Sequence, residues 1–182
     1  LHELWPFGYY NAAYTLCHVM NQRDNVEGAM RVATESLNRL TGETDPELEV
    51  CKWNLMTSVG IGHLRLRQLD ESEKILDKTY EDLKASTLKH KDEKRAMAMG
   101  ALCLNVLGHY MIFIPDKIPL WLDRTEEVIN ISEQINTSGN LTPKIAYFKA
   151  KLLSNKAQYL GSVGKLKEAK EAFDAYMATY FA

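Results

Sequence analysis

The residues that could carry chemistry in this chain are glycine pairs, cysteines and histidines. Gly60-Ile61-Gly62 resembles the start of a dinucleotide-binding loop, but no strand pattern precedes it and the third glycine is missing. Gly161-Ser162-Val163-Gly164-Lys165 resembles a phosphate-binding loop, but Tyr159 stands at the first glycine position and Leu166 stands where Ser or Thr should follow the lysine. We interpret the first as a helix-packing site and the second as a turn between helices.

Metal binding also lacks the required spacing. Two ligands on one face of a helix lie four residues apart. Cys17 and His18 are adjacent, about 100° apart around a helix, and Cys103 and His109 are six residues apart. We interpret these two cysteines and Cys51 as buried free thiols. The sequence therefore predicts no catalytic residue, no metal and no cofactor, and a protein that is not an enzyme.

Composition narrows the classes of protein further. The 182 residues include 22 Lys and Arg against 24 Asp and Glu, so the formal net charge is −2, and no basic run is present. This argues against nucleic-acid binding, which depends on contacts to phosphates. The hydrophobic share of 46% predicts a packed core. With only ten glycines and five prolines, the chain is poor in turn residues and is predicted to be helical.

Residues 96–114 carry no formal charge and are long enough to cross a bilayer. Asn105 and His109 lie within this segment and would be costly in lipid. We therefore predict a central helix that is buried by its neighbours, and no membrane insertion of this segment.

Apolar residues recur at three- and four-residue steps and predict eight helical segments and no sheet. The segments are Ala12–Met20, Val26–Leu40, Leu48–Leu69, Ile75–Leu83, Ala96–Ile114, Leu120–Ile135, Ile145–Leu160 and Leu166–Tyr180. The breaks between them lie at Arg23–Asn25, Thr41–Pro46, Thr137–Asn140 and Ser162–Gly164. The charged run Lys89–Arg95 is predicted to be a solvated turn.

An internal similarity orders these helices into antiparallel pairs. In three pairs, a small residue in the first helix is followed twelve residues later by a small residue in the second, and an apolar residue follows three or four positions further on. These sets are Cys17, Ala29 and Ala33; Gly60, Ser72 and Leu76; and Ala157, Ala169 and Phe173. Small residues at these positions allow two helices to approach closely.

This pattern resembles the tetratricopeptide repeat, through Gly164–Ala169 with Phe173 and through Leu107-Gly108 within Leu104–Met111. The resemblance implies an all-α, right-handed α–α superhelix of about four helix pairs. Two departures stand out: the small positions Cys17, Gly60, Gly108 and Ala157 are more than the usual 34 residues apart. The third pair also spaces Gly108 from Thr125 by five extra residues, around two prolines in Ile114–Pro119.

We expect a single helical-repeat domain over residues 1–182, with pairs at 7–41, 46–88, 92–137 and 142–181, cut from a longer protein. Long-helix variants of the resembled family occur in bacterial signalling proteins, which implies the sensor or scaffold part of such a protein. The compartment stays open between a periplasmic sensor domain and a cytoplasmic regulator.

The resemblance implies that the first helix of each pair lines a concave groove. Each first helix carries an Asn, a mediocre helix former whose amide can bind peptide backbone or a polar ligand. The predicted groove residues are Asn11, Tyr14, His18, Asn54, Thr57, Arg65, Asn105, His109, Lys151, Ser154, Asn155 and Gln158. Among these, Arg65 and Lys151 are the expected anchors for an anionic group, and Tyr14 could stack on a ligand or hydrogen-bond to it.

The predicted function is a non-enzymatic module that binds a protein, a peptide or a small polar effector in this groove. The alternative is a structural assembly module that self-associates through its outer face or its ends. Binding that leaves the chain monomeric would favour the first, and concentration-dependent association with a free groove would favour the second.

Overall fold

The structure, a computed structural model, describes residues 6–40 and 45–180. The described residues form an all-α fold, with eight α-helices, one 3-10 turn at Pro115–Lys117 and no strand. The predicted break at Thr41–Thr44, and the pair limits at residues 41 and 181, lie outside the described residues. The helices are α1 (Pro6–Gln22), α2 (Val26–Arg39), α3 (Pro46–Arg65), α4 (Leu69–His90), α5 (Glu93–Phe113), α6 (Ile118–Ile135), α7 (Thr142–Ser162) and α8 (Leu166–Tyr180).

Three helix pairs are joined by the same turn. In each turn, the second-to-last residue before the next helix adopts a left-handed backbone, with φ of 62° at Asp24, 62° at Arg67 and 78° at Gly164. The residue after it donates its N–H to a carbonyl five positions back, from Asn25 to Met20 across 2.9 Å in the first turn. Equivalent 2.9 Å bonds close the other two turns, so the described part of the chain repeats one helix–turn–helix unit.

The chain divides into two compact units, Leu1–Ala85 and Ser86–Ala182. In the first unit, α1 and α2 form a hairpin, and α3 packs against both of its helices. The twelve-residue spacing is confirmed here: Cys17 Sγ lies 3.3 Å from Ala29 O, and Ser72 Oγ donates to Gly60 O across 2.8 Å. Small residues therefore bring the helices of these two hairpins into direct contact.

In the second unit, α5 and α6 pair, α7 packs against both, and α8 packs on α7. The small residue that permits close approach is Gly100, where an added Cβ would overlap the ring of Phe148. Gly108 is exposed with open space around it, so its predicted role as the small contact is wrong. Thr125, the expected partner of Gly108, is buried and donates its hydroxyl to Trp121 O across 2.6 Å within α6.

Two other expectations are corrected. Helix α3 ends at Arg65 and not near residue 69, because the turn at Arg67 interrupts the apolar pattern. The run Lys89–Arg95 contains the turn between α4 and α5, but Arg95 is buried. Its Nη1 donates to Asp92 Oδ2 across 2.7 Å and its Nε donates to Ser86 Oγ across 3.1 Å. A buried guanidinium needs such partners because an unpaired buried charge is costly.

Helix α5 is long and apolar enough to cross a membrane by length and composition. Ten of its residues are buried, and it packs against α6 and α7. This is the packing expected of a core helix in a bundle. That the segment does not insert into a membrane stays a prediction.

Candidate partner-binding groove

Six of the predicted groove residues lie in the first unit. Asn11, Tyr14 and His18 follow one face of α1, as their spacing requires. Tyr14 is half-buried and packs against the core formed by α1, α2 and α3. His18 is exposed, and its Nε2 lies 3.0 Å from Gln22 Nε2. On α1, therefore, Asn11 and His18 are accessible to a ligand, whereas Tyr14 belongs partly to the core.

The predicted residues of α3 have local partners. Thr57 is 5% exposed and donates to Trp53 O across 2.8 Å, which leaves it no free donor. Asn54 is half-buried, and its main-chain carbonyl accepts from Ser58 Oγ across 3.1 Å. Arg65 donates to Asn21 O and to Asp24 Oδ1, each across 2.6 Å. This guanidinium, expected as an anion anchor, already has a carboxylate partner.

The other six residues lie in the second unit. On α5, His109 Nδ1 lies 2.8 Å from Asn105 O, within one helix. On α7, Lys151, Ser154 and Gln158 occupy one face, with Lys151 and Gln158 exposed and Ser154 half-buried. The twelfth residue, Asn155, is also half-buried on α7.

Helices α7 and α8 enclose an open groove of about 420 Å³, which Lys151 lines. The other lining residues are Ala146, Tyr147, Ala150, Tyr176 and Thr179. The ammonium of Lys151 lies 5.9 Å from the centre of the Tyr147 ring. Beside the groove, the exposed Phe173 has its ring centroid 6.0 Å from that of Tyr176. The groove thus combines two alanines, a cluster of aromatic rings and one positive charge.

The α7–α8 hairpin can be compared with the α1–α2 hairpin residue by residue. Counting from the turn residues Asp24 and Gly164, Tyr10 of α1 corresponds to Ala150. The Tyr10 side chain is buried in the core, whereas Ala150 supplies only a methyl group at the same register. The groove of the last hairpin is therefore lined by an alanine at the register position where the first hairpin has a buried aromatic ring.

The second difference is at the apolar position of the repeat. Ala33, Leu76 and Phe173 correspond in register, and their exposures are 0%, 0% and 50%. In the first hairpin Ala33 is covered by α3, through the core that includes Leu48 and Cys51. We name this side of a hairpin its docking face, defined by Tyr10, Ala33 and Leu37 in α1–α2 and by Ala150, Phe173 and Met177 in α7–α8.

The groove residues Tyr147, Ala150 and Tyr176 were missed by sequence reasoning, which searched for polar residues on the first helices. The sequence could have indicated them, because Ala150 stands at the position of the last hairpin that corresponds to Tyr10 in the first. Among the residues that the structure describes, no group of three His, Cys, Asp or Glu side chains could hold a metal ion. The three cysteines are buried, which raises the pKa of Cys17 and Cys51 to about 11 and makes these thiols poor nucleophiles.

The chain was compared with protein-family models, curated proteins and solved structures. No protein-family model, curated protein or solved structure matches this chain.

Proposed function

We propose that this chain is a non-enzymatic binding module that holds a protein or peptide partner in the α7–α8 groove. The observation that supports this most strongly is the exposure of Phe173 at a register position that is covered in the first hairpin. Exposed aromatic and apolar side chains grouped around a concavity are typical of protein-interaction sites. The tetratricopeptide-like superhelix and a sensor or scaffold role in a bacterial signalling protein belong to the same proposal.

The groove suits an apolar anchor with an acidic neighbour. Ala146, Ala150 and the rings of Tyr147 and Tyr176 offer an apolar surface, and Lys151 adds one positive charge at the side. Aromatic residues bury much area at low entropic cost and commonly dominate binding energy at interfaces. A carboxylate of the partner near Lys151 would fix the register of the bound segment.

Site-specific photo-crosslinking tests this proposal. A benzophenone side chain at position 147 should capture the partner, whereas the same group at Ile112, an exposed apolar position on α5, should not. The captured protein is then purified, and its affinity is measured for the parent chain and for variants. Lys151→Glu should weaken binding about tenfold.

The matched control is Arg65→Glu, because Arg65 is the other cation predicted to anchor a ligand. It should lower stability through the loss of its contacts to Asn21 and Asp24 but leave the affinity of the folded chain unchanged. Capture that does not depend on position, or equal effects of the two charge reversals on affinity, would remove the α7–α8 groove from the proposal.

Self-association is the second candidate, and the exposed Phe173, Met177 and Leu166 on α8 favour it. Sedimentation over a hundredfold range of concentration separates the two candidates. A chain that stays monomeric supports partner binding. A dimer that Phe173→Asp dissociates would assign this surface to assembly.

A further inference from the structure

The two units show what covers the docking face of a hairpin. In the first unit α3 contacts both α1 and α2, and in the second α7 contacts both α5 and α6. In each case a single helix lies against both helices of the preceding hairpin. On the corresponding surface of the α7–α8 hairpin, no described helix covers Phe173 and Met177, which are exposed, whereas the small Ala150 is 5% exposed at the groove.

The two covering helices also share a side-chain pattern. Counting from Arg67 and Gly164, three positions of α3 correspond to three of α7, and all six residues are apolar. They are Leu48, Cys51 and Leu55 in α3, and Ile145, Phe148 and Leu152 in α7. The spacing i, i+3, i+7 places three side chains in one stripe along a helix. Phe148 lies against Gly100 of α5, and Leu152 faces the groove shared with Leu122 of α6.

We propose that the partner bound by the α7–α8 groove is an amphipathic α-helix with apolar residues at positions i, i+3 and i+7. This inference rests on the proposed function and names the class of its partner. The helix lies against both α7 and α8, as α3 lies against α1 and α2. Its central apolar residue is large, because the groove beside it is lined by Ala150, at the register position where the first hairpin has the buried ring of Tyr10.

In the two docking faces, the large and the small residue are on opposite helices. The first hairpin has a large residue on its first helix and a small one on its second, Tyr10 and Ala33, while the last has Ala150 and Phe173. A partner helix must therefore place its bulk toward α7 and accept the Phe173 ring from α8. Because of this exchange, the α7–α8 face should bind a helix whose side chains differ from those of α3. The site can therefore discriminate between helices that pack in the same arrangement.

Two displayed libraries of 20-residue peptides test the inference on the full chain. The first carries Ala, Leu, Ile, Met or Phe at i, i+3 and i+7 of a Glu-, Lys- and Ala-rich helix. The second has the same composition with those residues at i, i+2 and i+4, which puts all three on one face of an extended strand but sends the middle one to the opposite face of a helix. Affinities of the recovered peptides are measured for the parent chain, Phe173→Asp and the control Ile112→Asp.

We expect binders from the first library. Their affinity should fall at least about tenfold for Phe173→Asp, because a buried charge would replace an apolar contact. Their affinity for Ile112→Asp should be unchanged. If Phe173→Asp does not fold by circular dichroism, Met177→Asp takes its place. Binders found only in the second library, yet dependent on Phe173, would overturn the helix while keeping the proposed function. No Phe173-dependent binder in either library would overturn both.

Discussion

Arg65 of α3 and Asp24 of the turn between α1 and α2 form an ion pair, with 2.6 Å between Nη2 and Oδ1. The same guanidinium donates through Nη1 to the carbonyl of Asn21, also across 2.6 Å. One side chain thus joins the third helix to the end of the first. Arg65 is 20% exposed and Asp24 is 88% exposed, so water screens the carboxylate far more than the guanidinium.

Removal of the Arg65 guanidinium should therefore matter more than removal of the Asp24 charge. We expect Arg65→Met to lower the free energy of unfolding by about 1 kcal/mol, because it leaves the Asn21 carbonyl without this donor. Asp24→Asn should cost less than about 0.5 kcal/mol, since exposed ion pairs contribute little and Asn tolerates the left-handed backbone. Urea unfolding measures both, and a larger effect of Asp24→Asn would contradict this assignment.

The turn between α7 and α8 offers a matched pair of glycines. Gly164 has a φ of 78°, whereas Gly161 is helical and a Cβ there would meet nothing within 4 Å. Gly164→Ala should destabilise the chain by about 1–2 kcal/mol because of its left-handed backbone. Gly161→Ala should stabilise it by about 0.5–1 kcal/mol through reduced chain entropy. Thermal or urea unfolding that gave the two substitutions the same sign would be inconsistent with this turn.

A second glycine pair tests the packing of the second unit. An alanine methyl at Gly100 would overlap the Phe148 ring, so Gly100→Ala should destabilise by about 1–3 kcal/mol. Gly108 is exposed on the same helix with open space around it, and Gly108→Ala should stabilise by up to about 1 kcal/mol. Equal effects in denaturant titrations would show that α7 does not pack on α5 at Gly100.

The buried thiols predict how stability depends on alkaline pH. Burial, followed by repulsion from Glu47 and Asp45, raises the pKa of Cys51 from 9.0 to about 11. The unfolded chain therefore loses this proton first, so the stabilisation is complete below pH 9 and is lost as pH rises toward 11. The slope from this thiol is at most about 1.4 kcal/mol per pH unit. The difference in unfolding free energy between the parent chain and Cys51→Ala should change over this range, and a constant difference would contradict the burial of Cys51.

The repeat was predictable because helix periodicity and turn length alone decide which residues face each other. Cys17 meets Ala29, and Gly60 meets Ser72, at the twelve-residue spacing that the sequence shows. The turn at Arg67 was not predictable from the sequence, because an arginine does not indicate that the backbone adopts the left-handed region there.

The site was predicted less well because it depends on tertiary contacts. Arg65 has the residue type of an anion anchor, but its partner Asp24 lies far away in the sequence. The groove is lined by Ala150, and that alanine stands out only when it is compared with the buried Tyr10 at the same register position of the first hairpin. Polar residues on first helices pointed to α7 through Lys151 but not to the tyrosines and alanines around it.

The uncovered docking face of α7–α8 is the central claim, and cysteine accessibility tests it most directly. Phe173→Cys and Ala33→Cys place a thiol at the same register position of the last and first hairpins, while the three native thiols are buried. We expect a maleimide reagent to label Cys at position 173 at nearly the rate of the unfolded chain, and position 33 at least about a hundredfold more slowly, because labelling there requires local unfolding. Equal protection at both positions would show that the α7–α8 face is covered in the protein alone, and would contradict this account.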